Sequence, residues 1–437
     1  MHALLFLFYS LLLGWLVTRM RFFRDSGVRP VFLLLFFGSH VLAGCFENWV
    51  SWHFFPGHGD VWTVFQLSFV TRHELLTDFS LFVAHNSTWV YLPHNILAII
   101  HVVLNWLSAD NLYINTLLFS FPLFLGSFAL FRTFRLVFPG DPLTALSALF
   151  FPSALFWASS VYTEGVVYAL TGWLLYILYA SPGRGWNVRR VGCCVFIFLL
   201  AAFFRATSWV TLLPALVFWG FPVRRPKLRG LTARGDAGQK LPVEGPLPGR
   251  LTPRNRMSIL VGIVILLLVL SAWLFPDWFG RLPRFLIARQ HDFQQLEGSS
   301  RLYLPVLEKS WSSFFHTLPW ALLNGFFEPL PGSGGKTLYL AFSAELLATW
   351  GVIVAYGFRR LSGRPGNPPV RVSSFCLYYA FSGILLVGLI VPFAGAIVRY
   401  RSIYLPFLLA PFLHAIRLSG PAKKINDKLN KYIFSRI

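Results

Sequence analysis

Chemistry needs ionisable groups, and only 13% of the 437 residues here are charged, so the candidates stand out. Asp60 closes the run Pro56-Gly57-His58-Gly59-Asp60, where two glycines allow tight backbone turns beside a carboxylate. Arg399 and Arg401 stand two apart in Val398-Arg399-Tyr400-Arg401, and Arg205 and Glu164 each interrupt long apolar stretches, Glu164 just after Tyr162. A carboxylate of this kind takes the proton from an attacking hydroxyl. Guanidinium forks match phosphate oxygens and stabilise the charge on a departing phosphate. Together these groups suit transfer from a phosphate-linked donor.

Each candidate also has a plainer reading. Gly59-Asp60 ahead of Val61-Trp62-Thr63-Val64-Phe65 could simply start a helix. The arginines could snorkel toward lipid headgroups. His53 and His58 could ligate a metal or merely be hydrogen-bonded, and a single carboxylate rarely holds a divalent cation without help. No metal ligands are assigned, and the cofactor is left open. The four cysteines (Cys45, Cys193, Cys194, Cys376) have no metal-site spacing and read as small apolar residues.

The elements that must position these groups are transmembrane helices. Hydrophobic residues make up 56% of the chain, in blocks long enough to approach the ~20 residues that cross a bilayer as helix. Lipid cannot satisfy backbone hydrogen bonds, so each block must satisfy its own. The expected fold is an all-α polytopic bundle of about eleven spans. They fall near 3–18, 31–48, 113–131, 143–160, 164–180, 191–204, 207–221, 257–274, 338–357, 374–397 and 403–417. Residues 96–107 are apolar but too short to span, and read as an interfacial or re-entrant helix. Charges in mid-span are scarce, Glu345 being the main exception.

The chain divides into an extra N-terminal helix with a basic turn (1–30), an N-terminal module (31–221), a basic, Pro/Gly-rich loop (222–256) and a C-terminal module (257–437). Two long external loops, 49–112 and 275–337, carry interfacial helices near 67–81 and 278–286. The net charge of +21 invites a nucleic-acid reading, but the basic residues are not arranged for one. They cluster after alternate spans: Arg19, Arg21, Arg24 and Arg29; Arg132 and Arg135; Arg184, Arg189 and Arg190; the 222–256 loop; Arg359, Arg360, Arg364 and Arg371; Lys423, Lys424, Lys428 and Lys431. The positive-inside rule makes that side cytoplasmic, facing anionic headgroups. The N-terminus is then outside, and Asp60, Glu164, Arg205, Arg399 and Arg401 fall at outer helix ends. Charges so close to a bilayer core are functional candidates by default.

This layout resembles the GT-C superfamily of polytopic glycosyltransferases. The resemblance rests on the acidic residue after the second span, Asp60, and on short segments: Phe151-Pro152-Ser153-Ala154-Leu155-Phe156-Trp157, Leu318-Pro319-Trp320-Ala321-Leu322 and Val398-Arg399-Tyr400-Arg401. It implies a polyprenyl-phosphate-linked sugar as donor, an acceptor of undetermined class, and an extracytoplasmic active face in a bacterial cytoplasmic membrane. Asp60 would then be the base, Arg399, Arg401 and Arg205 would bind the donor phosphate, and Glu164, His58 and Tyr162 would line the cavity. Many members carry paired acids where Asp60 stands alone, and the helix before the acidic loop is an addition. The competing expectations are a lipid-linked polysaccharide polymerase or ligase, which needs the arginines without Asp60, and a non-catalytic transporter or scaffold.

The threading predicts sided chemistry. A cysteine placed in the 222–256 loop of a cysteine-free variant will react with an impermeant maleimide only from the cytoplasm, and one placed beside Asp60 only from outside. Labelling of both from one side would reverse the topology.

Overall fold

In a computed structural model, residues 1–55, 59–86, 92–179, 188–220, 282–298, 300–331, 337–362, 370–416 and 421–434 are described. They form nineteen α-helices. In chain order the twelve of the first half are α1 (His2–Arg19), α2 (Arg21–Arg24), α3 (Pro30–Phe54), α4 (Gly59–Thr77), α5 (Phe79–Asn86), α6 (Leu92–Ser108), α7 (Leu112–Val137), α8 (Pro142–Phe150), α9 (Pro152–Ala158), α10 (Thr163–Tyr179), α11 (Val188–Phe204) and α12 (Thr207–Gly220). The second half holds α13 (Leu282–Gln294), α14 (Trp311–Phe327), α15 (Thr337–Leu361), α16 (Val370–Ile390), α17 (Ala394–Ser402), α18 (Leu405–Ile416) and α19 (Pro421–Ile433).

Five of these are long and apolar enough to cross a membrane: α1, α3, α7, and the stretches Tyr339–Leu361 and Val372–Ile390 of α15 and α16. The count rises to seven if α9 with α10, and α17 with α18, each form one bent span. The chain is an integral membrane protein by this measure, and the described residues hold five to seven candidate spans where about eleven were expected of the whole chain. The differences have local causes. The expected span 143–160 is two helices, because Pro152 has no N–H to continue α8 and instead starts α9. The expected span 374–397 ends at Ile390, ahead of Pro392. Helix α11 is 17 residues long, and 257–274, like the 222–256 loop, lies outside the described residues. Residues 96–107 do form a helix, α6, and the expected 67–81 helix is split between α4 and α5 at Asp78, whose carboxylate accepts from the backbone N–H groups of Ser80 and Leu81.

Two breaks shape the molecule. Between α9 and α10 the axis turns by 110° through Ser159-Ser160-Val161-Tyr162, and between α17 and α18 by 61°. A bent helix must re-satisfy the backbone groups it frees. Here Glu345 of α15 accepts from both the N–H and the hydroxyl of Ser153, each at 2.6 Å, and so caps α9. Ser120 of α7 donates to the Ser159 carbonyl at 2.9 Å, and Ser160 donates to Asn48 of α3 at 2.8 Å. Arg401 donates to the carbonyls of Gly325 and Glu328, capping the end of α14. The Glu345 mid-span acid is thus a cap.

The core is aromatic, with Phe124, Phe128, Phe131 and Phe134 of α7 fully buried. Helices α7 and α10 pack closest where glycines face each other: a Cβ on Gly126 would stand 2.3 Å from the Ala169 Cα, and one on Gly172 would stand 2.1 Å from the Gly126 carbonyl oxygen. Small residues at this crossing let the backbones meet, which is how helices associate without a hydrophobic drive between them in lipid.

Gly126→Val or Gly172→Val will therefore separate α7 from α10. Detergent-solubilised variants should lose most of their monodisperse peak in size-exclusion chromatography, whereas Gly351→Ala, which meets nothing within 4 Å, should leave it unchanged.

Candidate functional site

The two breaks deliver charged side chains to one place. Glu164 sits in the first turn of α10, directly after the 110° bend, and is 1% exposed. Arg399 sits in α17, which begins after an extended segment held to the 300–302 stretch: Leu302 N–H donates to the Pro392 carbonyl and Ala394 N–H to that of Ser300. Arg399 donates from one guanidinium nitrogen to Asp60 at 2.5 Å and from the other to Glu164 at 3.2 Å. Arg205, in the two-residue gap between α11 and α12, stands 3.5 Å from the other oxygen of Glu164 and 4.6 Å over the Tyr400 ring. A buried charge must be paired, and removing one partner of such a pair costs about 3–5 kcal/mol. Glu164 is held by two arginines, and each arginine side chain is only 13% exposed.

Asp60 approaches Arg399 from solvent, with a side chain 55% exposed. It lies in the first turn of α4, after Gly59, whose φ of +72° favours glycine and whose missing Cβ leaves room for the Ser51 hydroxyl. The Arg399 charge holds the Asp60 carboxyl below the usual carboxylate range, with His94 adding to it. The pair therefore contributes at neutral pH, and its contribution is lost only as pH falls through that lowered pKa.

Beneath Arg399 lies the expected Tyr162, on a support of Glu47 and Ser51 that the sequence did not single out. The Tyr162 ring is 4.3 Å below the guanidinium carbon, and its hydroxyl donates to Glu47 at 2.7 Å. The same Glu47 oxygen accepts from Ser51 at 2.5 Å. Glu47 is fully buried in α3. It positions the ring that supports Arg399, and a cation over an aromatic face is stabilised most when desolvated. The available signal was an acid inside an apolar stretch, since Glu47 falls within 31–48. His94 and Tyr400 complete the surroundings.

Of the expected site residues, Asp60, Glu164, Arg205, Arg399 and Tyr162 come together. Arg401 does not join them. It is 1% exposed, and its Nη1 donates to both carbonyls at the end of α14. Residues i and i+2 on a helix do not share a face, so this pair cannot grip one phosphate. His58 lies outside the described residues. His53 Nδ1 donates to the Trp49 carbonyl, one turn back in α3, and its ring lies tilted against the Trp49 ring. Among the described residues no group of three or more His, Cys, Asp or Glu side chains could hold a metal.

Arg205, Glu164, His94 and Arg399 face a cavity of about 520 Å³, within the roughly 300–1,000 Å³ typical of ligand sites. Its remaining wall is apolar, with Phe204, Phe285, Phe293, Leu386, Val387 and Ile390. Arg289 and Asp292 of α13 add a further charged pair. One end can hold an anion and the rest an apolar chain. Comparison with protein-family models, curated proteins and solved structures finds no match.

The geometry separates the two arginines of α17. Arg399→Lys, which keeps the charge but loses the fork, should weaken binding of farnesyl phosphate by about tenfold or more in scintillation proximity assays. Arg401→Lys should leave that affinity intact and lower the apparent Tm. Equal effects of both on affinity would contradict this division.

Proposed function

We propose that the chain is a polytopic membrane glycosyltransferase that moves a sugar from a polyprenyl-phosphate-linked donor to a hydroxyl acceptor on the extracytoplasmic face, threaded about eleven times with its N-terminus outside. The observation that carries this reading is the meeting of Glu164, Arg205 and Arg399 on the wall of a largely apolar cavity, with Asp60 paired to Arg399 from the solvent side. The isoprenoid chain would lie along the Phe204–Phe285–Leu386 wall. Its phosphate would exchange for Asp60 on Arg399 and extend to Arg205.

That exchange has a chemical consequence. With Arg399 turned to phosphate, Asp60 regains basicity beside the reacting sugar. The acceptor hydroxyl gives its proton to Asp60 as its oxygen bonds to the anomeric carbon. The bond from that carbon to the phosphate oxygen breaks with its electron pair, and the arginines stabilise the phosphate that leaves. Glu164 pairs with both largely buried guanidinium groups, so they are held in place before the donor arrives. Glu47 and Tyr162 hold Arg399 from below. A polymerase or ligase joining preassembled lipid-linked glycans would use the same arginines and would not need Asp60.

Asp60→Asn separates these outcomes. Asparagine remains compatible with the first turn of a helix but accepts no proton, so transfer from a polyprenyl-phosphate sugar should fall on the order of 10²–10⁴-fold while farnesyl phosphate still binds. Near-normal transfer would remove Asp60 from the mechanism and favour the ligase reading. Failure of wild-type protein to bind farnesyl phosphate at all would remove the transferase.

A further inference from the structure

At the end of the molecule away from this cavity, the last helix is stitched to the first turn. The extended residues Val28 and Phe434 pair as a β-bridge, and the Arg29 N–H donates to the Ile433 carbonyl at 3.0 Å. The Arg29 guanidinium donates to the Lys431 carbonyl at 3.2 Å. Phe434 is buried under Arg135, 3.6 Å from ring centre to guanidinium carbon, while Arg135 also donates to the Ser26 carbonyl. Asn426 donates to the Gly140 carbonyl at 3.1 Å, tying α19 to the turn between α7 and α8. Residues 20–29 join two membrane-crossing candidates, α1 and α3, so the turn lies at a membrane boundary. Helix α19 is pinned at that level.

Its sequence is split by face. Asn426, Leu429 and Ile433 recur at i, i+3 and i+7 and turn inward, with Ile433 buried and Leu429 packed on the core. Lys424, Lys428 and Lys431 recur at i, i+4 and i+7 and are all exposed. Tyr432, beside them, is 57% exposed, as suits an aromatic at the headgroup level. The turn that α19 is stitched to adds exposed Arg19, Arg21, Arg24 and Arg29. Exposed Asp25 and Asp427 are the carboxylates within these two segments, far short of neutralising seven cations.

We propose that α19 and the 19–29 turn form a binding site for anionic phospholipid headgroups, the lysine stripe lying flat on the interface. The occupant follows from charge and position. A cationic stripe on an amphipathic helix, pinned where two spans leave the bilayer, meets lipid phosphates before any soluble anion. This inference is independent of the transferase reading, since no residue of the candidate site takes part.

The test uses the full chain in nanodiscs of phosphatidylcholine with or without phosphatidylglycerol, and counts retained lipids by native mass spectrometry after gentle detergent extraction. Wild-type protein should retain phosphatidylglycerol over phosphatidylcholine. Lys424→Gln, Lys428→Gln and Lys431→Gln should lose that preference, on the order of fivefold per lysine, and the three Arg substitutions should restore it. All of them should keep the monodisperse size-exclusion peak and apparent Tm of the wild type, which reports that they fold. Equal retention of the two lipids by wild type, an unchanged preference in the triple Gln variant, or loss of the preference in millimolar inorganic phosphate at constant ionic strength would overturn the proposal.

Discussion

A guanidinium taken out of water must recover in carboxylates and aromatic faces what it loses in hydration. Arg399 is the place where this protein meets that demand most heavily. Asp60 reaches it from the first turn of α4, and Tyr162 and Glu164 reach it from the bend and first turn of α10, far away in sequence. Satisfying it fixes where α4 starts, how α10 leaves the 110° bend and where α17 lies against them. The network costs desolvation and returns specificity: a register error in α17 would leave Glu164 with Arg205 alone, and one in α4 would take Asp60 from Arg399. Its one exposed member is Asp60, the carboxylate that an incoming anion can replace.

The bends exist to serve this network. An unbroken α9–α10 helix would carry Glu164 through apolar surroundings and leave it facing core. Pro152 starts α9 afresh, Ser159 and Ser160 give the turn polar contacts to α3 and α7, and Glu345 caps the helix that leads into it. The second bend does the same for Arg399, with Arg401 spent on bracing α17 against α14. Irregular backbone at membrane depth persists only where protein or a cavity satisfies it, and here both do.

Charge divides the molecule into two ends with different tasks. At one, opposite charges are balanced and buried around an apolar-walled cavity, so the field is short-ranged and specific. At the other, arginines and lysines from the 19–29 turn and α19 are exposed, with backbone hydrogen bonds and the Phe434 contact holding the segments together. The first arrangement suits recognition of one ligand group and the second suits a charged surface.

Much of this was legible in the residues alone. Apolar blocks determined the helical membrane class, because lipid offers backbone groups no alternative partner. The apolar run at 96–107 marked α6, and the scarcity of charge singled out Asp60, Glu164, Arg205 and Arg399, since each would be costly at a helix end without a task. Length and hydropathy could not show that the 143–160 and 374–397 stretches break at proline, since both remain apolar throughout. Nor could they assign partners. Arg399 and Arg401 look equivalent in sequence, and only the rotation of α17 sends one to carboxylates and the other to carbonyls. Glu47 was hidden because its partner, Tyr162, lies 115 residues away. Pairing across such separations depends on how helices cross, and those crossings follow from packing such as Gly126 against Gly172, which no local pattern of charge or hydropathy encodes.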